Sequence, residues 1–239
     1  MRHELAKTKN VRLFISAVGE LRNRPLGVEG MGLLWGESGE GKTTVVAYAA
    51  NTMDGIFLRA NACWTVTAML GALVTELGGA PRARRSVMMD DISQRLMNQD
   101  RVIFIDEADY LFRQTEMLDT LRDIYDLTGA AVVLIGMERI ARTIQDRGRF
   151  ARRITQWVEF KGVDLDDART LADTVCEVKL ADDLLEHLHR EAKANVGRMV
   201  VGLSRIEQMA KTSGLETVTL DDWADRPLYF DQPKFRKRG

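Results

Sequence analysis

Gly36, Gly41, Lys42 and Thr43 fall at the spacing G-x-x-x-x-G-K-[ST] within residues 36–44, which read Gly-Glu-Ser-Gly-Glu-Gly-Lys-Thr-Thr. Glycines at these places let the backbone turn tightly and aim its N–H groups inward, and the amino end of a following helix adds positive potential at the same point. The chemistry this suits is the holding of a phosphate. Lys42 would reach the terminal phosphates, Thr43 would offer its hydroxyl to Mg2+, and Glu37, Ser38, Gly39, Glu40 and Thr44 would complete the cradle. A second constellation lies further on. The apolar run Val102-Ile103-Phe104-Ile105 ends in Asp106-Glu107. A carboxylate at that position binds Mg2+ or its waters, and Glu107 is then placed to polarise a water for attack on a γ-phosphate. A glycine turn alone, or a solvated acidic strand end alone, is commonplace. The two together, in this order, specify ATP and Mg2+ as cofactors.

The elements that must carry these residues alternate. Apolar runs at 31–35, 55–59, 102–105, 130–135 and 156–160 read as strands, separated by segments with helical spacing. Val66, Met69, Leu70, Leu73, Val74 and Leu77 repeat at three and four behind a capping Thr65, and Gly78-Gly79-Ala80-Pro81 ends that helix. Alternation of this kind implies a parallel sheet with right-handed crossovers, and ligands bind beyond the carboxyl ends of its strands, where both motifs fall. Upstream, Val11, Phe14, Ile15, Val18 and Leu21 mark a helix that either covers an adenine or simply packs. From Asp164 the pattern becomes helical throughout. The expected organisation is an arm at 1–27, an α/β/α core at 28–162, a small all-helical domain at 163–226 and a basic tail at 227–239 that includes Lys234-Phe235-Arg236-Lys237-Arg238.

Composition bounds the rest. The 239 residues, 45% hydrophobic, suffice for one α/β core and a small second domain. No apolar run approaches the ~18 residues of a membrane helix, and no secretory leader is evident, so a cytoplasmic protein without a membrane partner is expected. Cys63 and Cys176 have no metal or redox spacing and are expected to be reduced and interior. A net charge of -1 argues against a uniformly basic nucleic-acid binder but permits a local patch, of which Arg82-Ala83-Arg84-Arg85 is the densest before residue 106. Glu186-His187-Leu188-His189 has no metal geometry on a helix, because positions i and i+2 point apart, and surface histidines are expected.

A phosphate-loop sheet followed by a small helical domain resembles an AAA+ ATPase. That resemblance implies an arginine reaching the nucleotide of a neighbouring subunit. Arg149, within Gly148-Arg149-Phe150, stands at that place, with Arg147, Arg152 and Arg153 as substitutes. It also implies a second arginine from the helical domain at the γ-phosphate, here Arg198 in Asn195-Val196-Gly197-Arg198. One departure is that the fourth strand ends in Gly136-Met137, where such ATPases carry a polar side chain. Among AAA+ proteins, the stretches at 59–65, 76–78, 105–111 and 133–136 resemble the transposition ATPases of the Mu B and TnsC type. This implies a homo-oligomeric filament on duplex DNA that presents target DNA to a transposase. The DNA contacts would come from Arg82, Arg84 and Arg85, with Thr65 and Ser93 as hydrogen-bonding neighbours; a solvated basic loop is the plainer reading of the same residues. A replication initiator or helicase loader shares these motifs, and a P-loop kinase for a small molecule is a third possibility.

Overall fold

The computed structural model describes residues 1–97 and 99–229. They form two compact units, Asn10–Lys161 and a second made of Met1–Lys9 with the chain from Gly162 onward. The residues 230–239 of the expected basic tail lie outside the described residues.

The larger unit is built on five strands: β1 (Met31–Gly36), β2 (Ile56–Arg59), β3 (Ile103–Asp106), β4 (Val132–Gly136) and β5 (Ile154–Phe160). Their spatial order is β2-β3-β4-β1-β5, and every pairing is parallel. Side chains alternate across the sheet. Ile103 and Ile105 of β3 join the core under α3 (Val66–Glu76), α4 (Arg85–Leu96) and α5 (Thr115–Thr128). Phe104 turns to the opposite face, where Phe14 of α1 (Lys9–Arg22) stands 6.3 Å from it and 6.2 Å, edge-on, from Phe160. Helices on both faces explain why the strands read as continuous apolar runs rather than alternating ones.

Local chemistry sets the boundaries. Thr65 accepts the Ala68 N–H and starts α3, as its sequence position predicts. Gly129 closes α5 at φ 65°, a left-handed conformation that favours glycine. After β4 come α6 (Glu138–Gln145) and α7 (Gly148–Ala151); the arginine-rich stretch 147–153, which sequence spacing left without an element, contains this one-turn helix.

The smaller unit packs α8 (Leu165–Val175), α9 (Asp182–Ala192) and α10 (Val196–Ser213) around Leu184, Leu188, Met199, Leu203 and Ile206, all essentially inaccessible. Side-chain caps from Asp164 and Asn195 begin α8 and α10, and a Thr219–Asp222 capping box begins α11 (Leu220–Trp223). The unit is not helical throughout: β6 (Lys179–Leu180) and β7 (Thr217–Val218) pair in parallel. Two residues per strand are too few to show a periodicity. Glu207 is buried on α10, where Lys211, the Met1 amine and the Glu177 N–H surround its carboxylate. Burial alone would raise its pKa, but these partners outweigh burial and bring it down to about 2. Cys176 is buried beside this carboxylate, and desolvation pushes its thiol up to about 12. Cys63, expected inside, is exposed, because in the loop at 61–65 Trp64 is the residue that turns into the core and Cys63 faces outward.

Candidate nucleotide site

β1 delivers the chain to the phosphate loop. Gly36 passes so close to β5 that a Cβ there would lie 2.4 Å from the Phe160 carbonyl oxygen. Gly41 adopts φ 81° as the residue before α2 (Lys42–Thr52), so the loop enters the helix through a left-handed turn that an L side chain resists. This turn directs the first N–H groups of α2 into the loop. The Lys42 ammonium donates to the carbonyl oxygens of Gly36 at 2.8 Å and Glu37 at 2.6 Å. Desolvation lowers its pKa, partly opposed by Glu40 and Asp106. A half-buried cation whose hydrogen-bond partners among the described residues are carbonyl oxygens is suited to a phosphate, which restores the charge compensation that burial removes.

β3 brings the second motif alongside. Asp106 is buried, its Oδ2 accepting the Thr43 hydroxyl at 2.9 Å and its Oδ1 the Glu107 N–H at 2.9 Å. Two oxygens held cis on an octahedral Mg2+ at ~2.1 Å lie about 2.9–3.0 Å apart, so the Thr43 and Asp106 oxygens already have the spacing of a ligand pair. Among the described residues no group of three His, Cys, Asp or Glu side chains forms a metal site. A nucleotide-associated Mg2+ would not require one, since such an ion takes one or two protein oxygens and completes its shell with phosphate and water.

Glu107 adopts φ 55°, and the chain turns at once into the 3-10 segment Ala108–Arg113, which Ala108 and Leu111 pin in the core. The Glu107 carboxylate stays accessible, 3.6 Å from the Arg59 guanidinium at the end of β2. A cavity of about 810 Å3 opens here, bounded by Glu37, Ser38, Glu107, Asp109, Met137 and Arg139 among others. Arg59 and Asp109 escape a reading of motifs alone; the signal for Arg59 was its position at the end of the neighbouring strand, and for Asp109 its place two residues after Glu107.

The other expected residues are more dispersed. Arg149 sits exposed on α7, beside Arg152; among the described residues neither side chain has a partner. Arg147 instead lies over the Phe112 ring, 5.6 Å from its centroid, and Arg153 is held by both oxygens of Asp126. Arg82, Arg84 and Arg85 are exposed around the start of α4. Arg85 bonds Thr67 at 2.9 Å and Glu116 at 2.6 Å, the Thr65 hydroxyl serves its helix cap, and Ser93 is half-buried further along α4. In the smaller unit Arg198 stacks on Tyr229 at 4.1 Å. His189, expected on the surface, is half-buried and its Nε2 lies 2.6 Å from the Val163 carbonyl oxygen.

A family model of the AAA domain matches residues 26–144, the segment that holds both motifs. This segment carries the sequence pattern of an AAA domain. Solved structures share its architecture well beyond those bounds. The ORC2 protein of Aeropyrum pernix, in ADPNP and ADP complexes, superposes with a TM-score of 0.69 at 15% identity, over 92% of this chain and 67% of that one. Cdc6p of Pyrobaculum aerophilum gives 0.65 at 17% identity, over 92% and 66%. The ORC1 protein of Aeropyrum pernix in complex with DNA gives 0.60 at 16% identity, over 91% and 63%. The present chain therefore spans about two thirds of the length of these proteins, and at such identities the likeness is one of fold: AAA+, with the AAA domain at its centre. A comparison with curated protein sequences finds no match.

Proposed function

We propose that the chain is a Mg2+-dependent ATPase that assembles on duplex DNA, and that its role is to present target DNA to a transposase. The observation that carries the ATPase reading is the 2.9 Å contact between Thr43 of the first motif and Asp106 of the second, beside a half-desolvated Lys42. Lys42 and the loop N–H groups bind the β and γ phosphates, and Thr43 and Asp106 hold Mg2+. The metal, when bound, supplies charge neutralisation at the β and γ oxygens. Glu107 accepts the proton of the attacking water and orients it. Arg149, accessible on a one-turn helix, completes the site of an adjoining copy. An arginine so placed is worth about 10³–10⁵ in rate in related phosphoryl transfers.

DNA contact falls to Arg82 and Arg84, with Arg85 contributing once freed from Glu116. Three phosphate contacts per subunit would give a slope of about -2.7 in log K against log salt, small for one copy and sufficient when repeated along an assembly. A second reading, replication initiator or helicase loader, is favoured by the ORC and Cdc6 likenesses. The small-molecule kinase is disfavoured by the AAA domain match.

The decisive experiment is electron microscopy of the full chain with ATP and non-specific duplex at low salt, alongside Glu107→Gln. ATP-dependent filaments that persist longer in the variant are expected. A chain that stays monomeric under these conditions would count against assembly. Stimulation by a replicative helicase rather than a transposase would move the role to the second reading.

A further inference from the structure

The strand order puts β4 at the middle of the site. It lies between β1, which leads into the phosphate loop, and β3, which ends in Asp106. Whatever fixes the carboxyl end of β4 therefore fixes the ground between the two motifs. That end is Gly136-Met137, and neither side chain can form a strong hydrogen bond. Its polar anchor is Asp109, whose Oδ2 accepts the Met137 N–H at 3.0 Å. Glycine at 136 leaves room for this approach: a Cβ there would lie 2.4 Å from the same Oδ2, which would have to shift. Asp109 rides on the 3-10 turn that follows Glu107 and bounds the same cavity as Glu107, Glu37 and Ser38.

We propose that Asp109 is a positioning residue for ATP hydrolysis: it ties the turn carrying Glu107 to the end of β4, so that the base keeps its place between the two motifs. The inference rests on the ATPase reading above. The tie is an accepted hydrogen bond, so it depends on an oxygen at that place and not on the charge. Asparagine retains that oxygen, and alanine does not. Loss of the tie displaces Glu107 without touching the phosphate loop, and a shift of ~1 Å in a catalytic group can cost about 10²-fold in rate.

The test uses the full chain with duplex DNA, measuring ATP turnover, nucleotide affinity and melting temperature. Asp109→Ala should lower kcat about 10- to 100-fold with KM for ATP and melting temperature nearly unchanged, while Asp109→Asn stays within about threefold of the parent. Gly136→Ala, which crowds the same oxygen, should also lower kcat, and adding it to Asp109→Ala should cost little more, as expected of two changes that break one contact. An Asp109→Ala chain that turns over like the parent overturns the inference. So does an equal loss in Asp109→Asn, a loss confined to KM, or a loss matched by unfolding. A parent chain without ATP turnover fails at the ATPase reading itself, a result distinct from these.

Discussion

At Lys42 burial and charge are set against each other. Its ammonium is bonded to two carbonyl oxygens and its pKa is lowered, first by burial. A base with a folded pKa below its unfolded value is protonated more readily in the unfolded chain, so below that folded pKa the charge detracts from stability. Lys42→Ala should therefore abolish ATP binding, followed by titration with a nucleotide analogue, without lowering the melting temperature of the nucleotide-free protein. A lower melting temperature would show that the ammonium supports the fold. Arg59 acts on Glu107 in the opposite sense, as a competitor for the carboxylate at 3.6 Å. Both groups are well exposed, and such a pair is worth only ~0.2–1 kcal/mol. Arg59→Ala should raise DNA-independent ATP turnover by no more than about two- to fivefold; a fall would instead make Arg59 part of the catalytic machinery. Glycine and carboxylate spacing singled out Lys42, Thr43, Asp106 and Glu107, and the structure brings Thr43, Asp106 and Glu107 into contact. The pairings Arg59–Glu107 and Asp109–Met137 join residues far apart in the chain, and only strand order brings them together.

Elements were legible where local chemistry is strong. Thr65 caps α3 and Gly129 closes α5 as their residue types require, and the five apolar runs became the five strands of the main sheet. Short elements escaped: α7 is a single turn, and β6 and β7 are two residues each, held by the packing of the smaller unit rather than by a repeat of their own. Glu207 was equally hidden, since a helix pattern marks it as one polar residue among many. Its folded pKa of about 2 lies below its ordinary 4.5, so its contribution to stability is complete above about pH 4.5 and is lost as the pH falls towards 2. Replacing it with glutamine should destabilise the smaller unit by about 1–3 kcal/mol at neutral pH. The difference in melting temperature from the parent should then shrink between pH 4.5 and 2. A difference that held constant through that window would show that the carboxylate's charge is not what matters.

At the scale of the whole molecule, a net charge of -1 conceals arginines that are unequally engaged. Arg153 is fixed by Asp126 and Arg147 by Phe112, which leaves Arg149 accessible on α7 and Arg152 accessible just after it. The trans assignment of Arg149 makes a prediction that no property of a single copy can mimic. Arg149→Ala and Glu107→Gln should each be nearly inactive alone, and mixing them should restore part of the ATP turnover, because some junctions pair an intact Glu107 with an intact Arg149. Mixtures no more active than either variant would place Arg149 outside the active site.

The insertion of β4 between β1 and β3 also has a consequence for biosynthesis. A nascent chain that has left the ribosome up to residue 120 already contains every residue of both phosphate and metal motifs, yet the strand that sets their separation has not been made. The relative placement of the two motifs is thus set only after Gly136 has been translated.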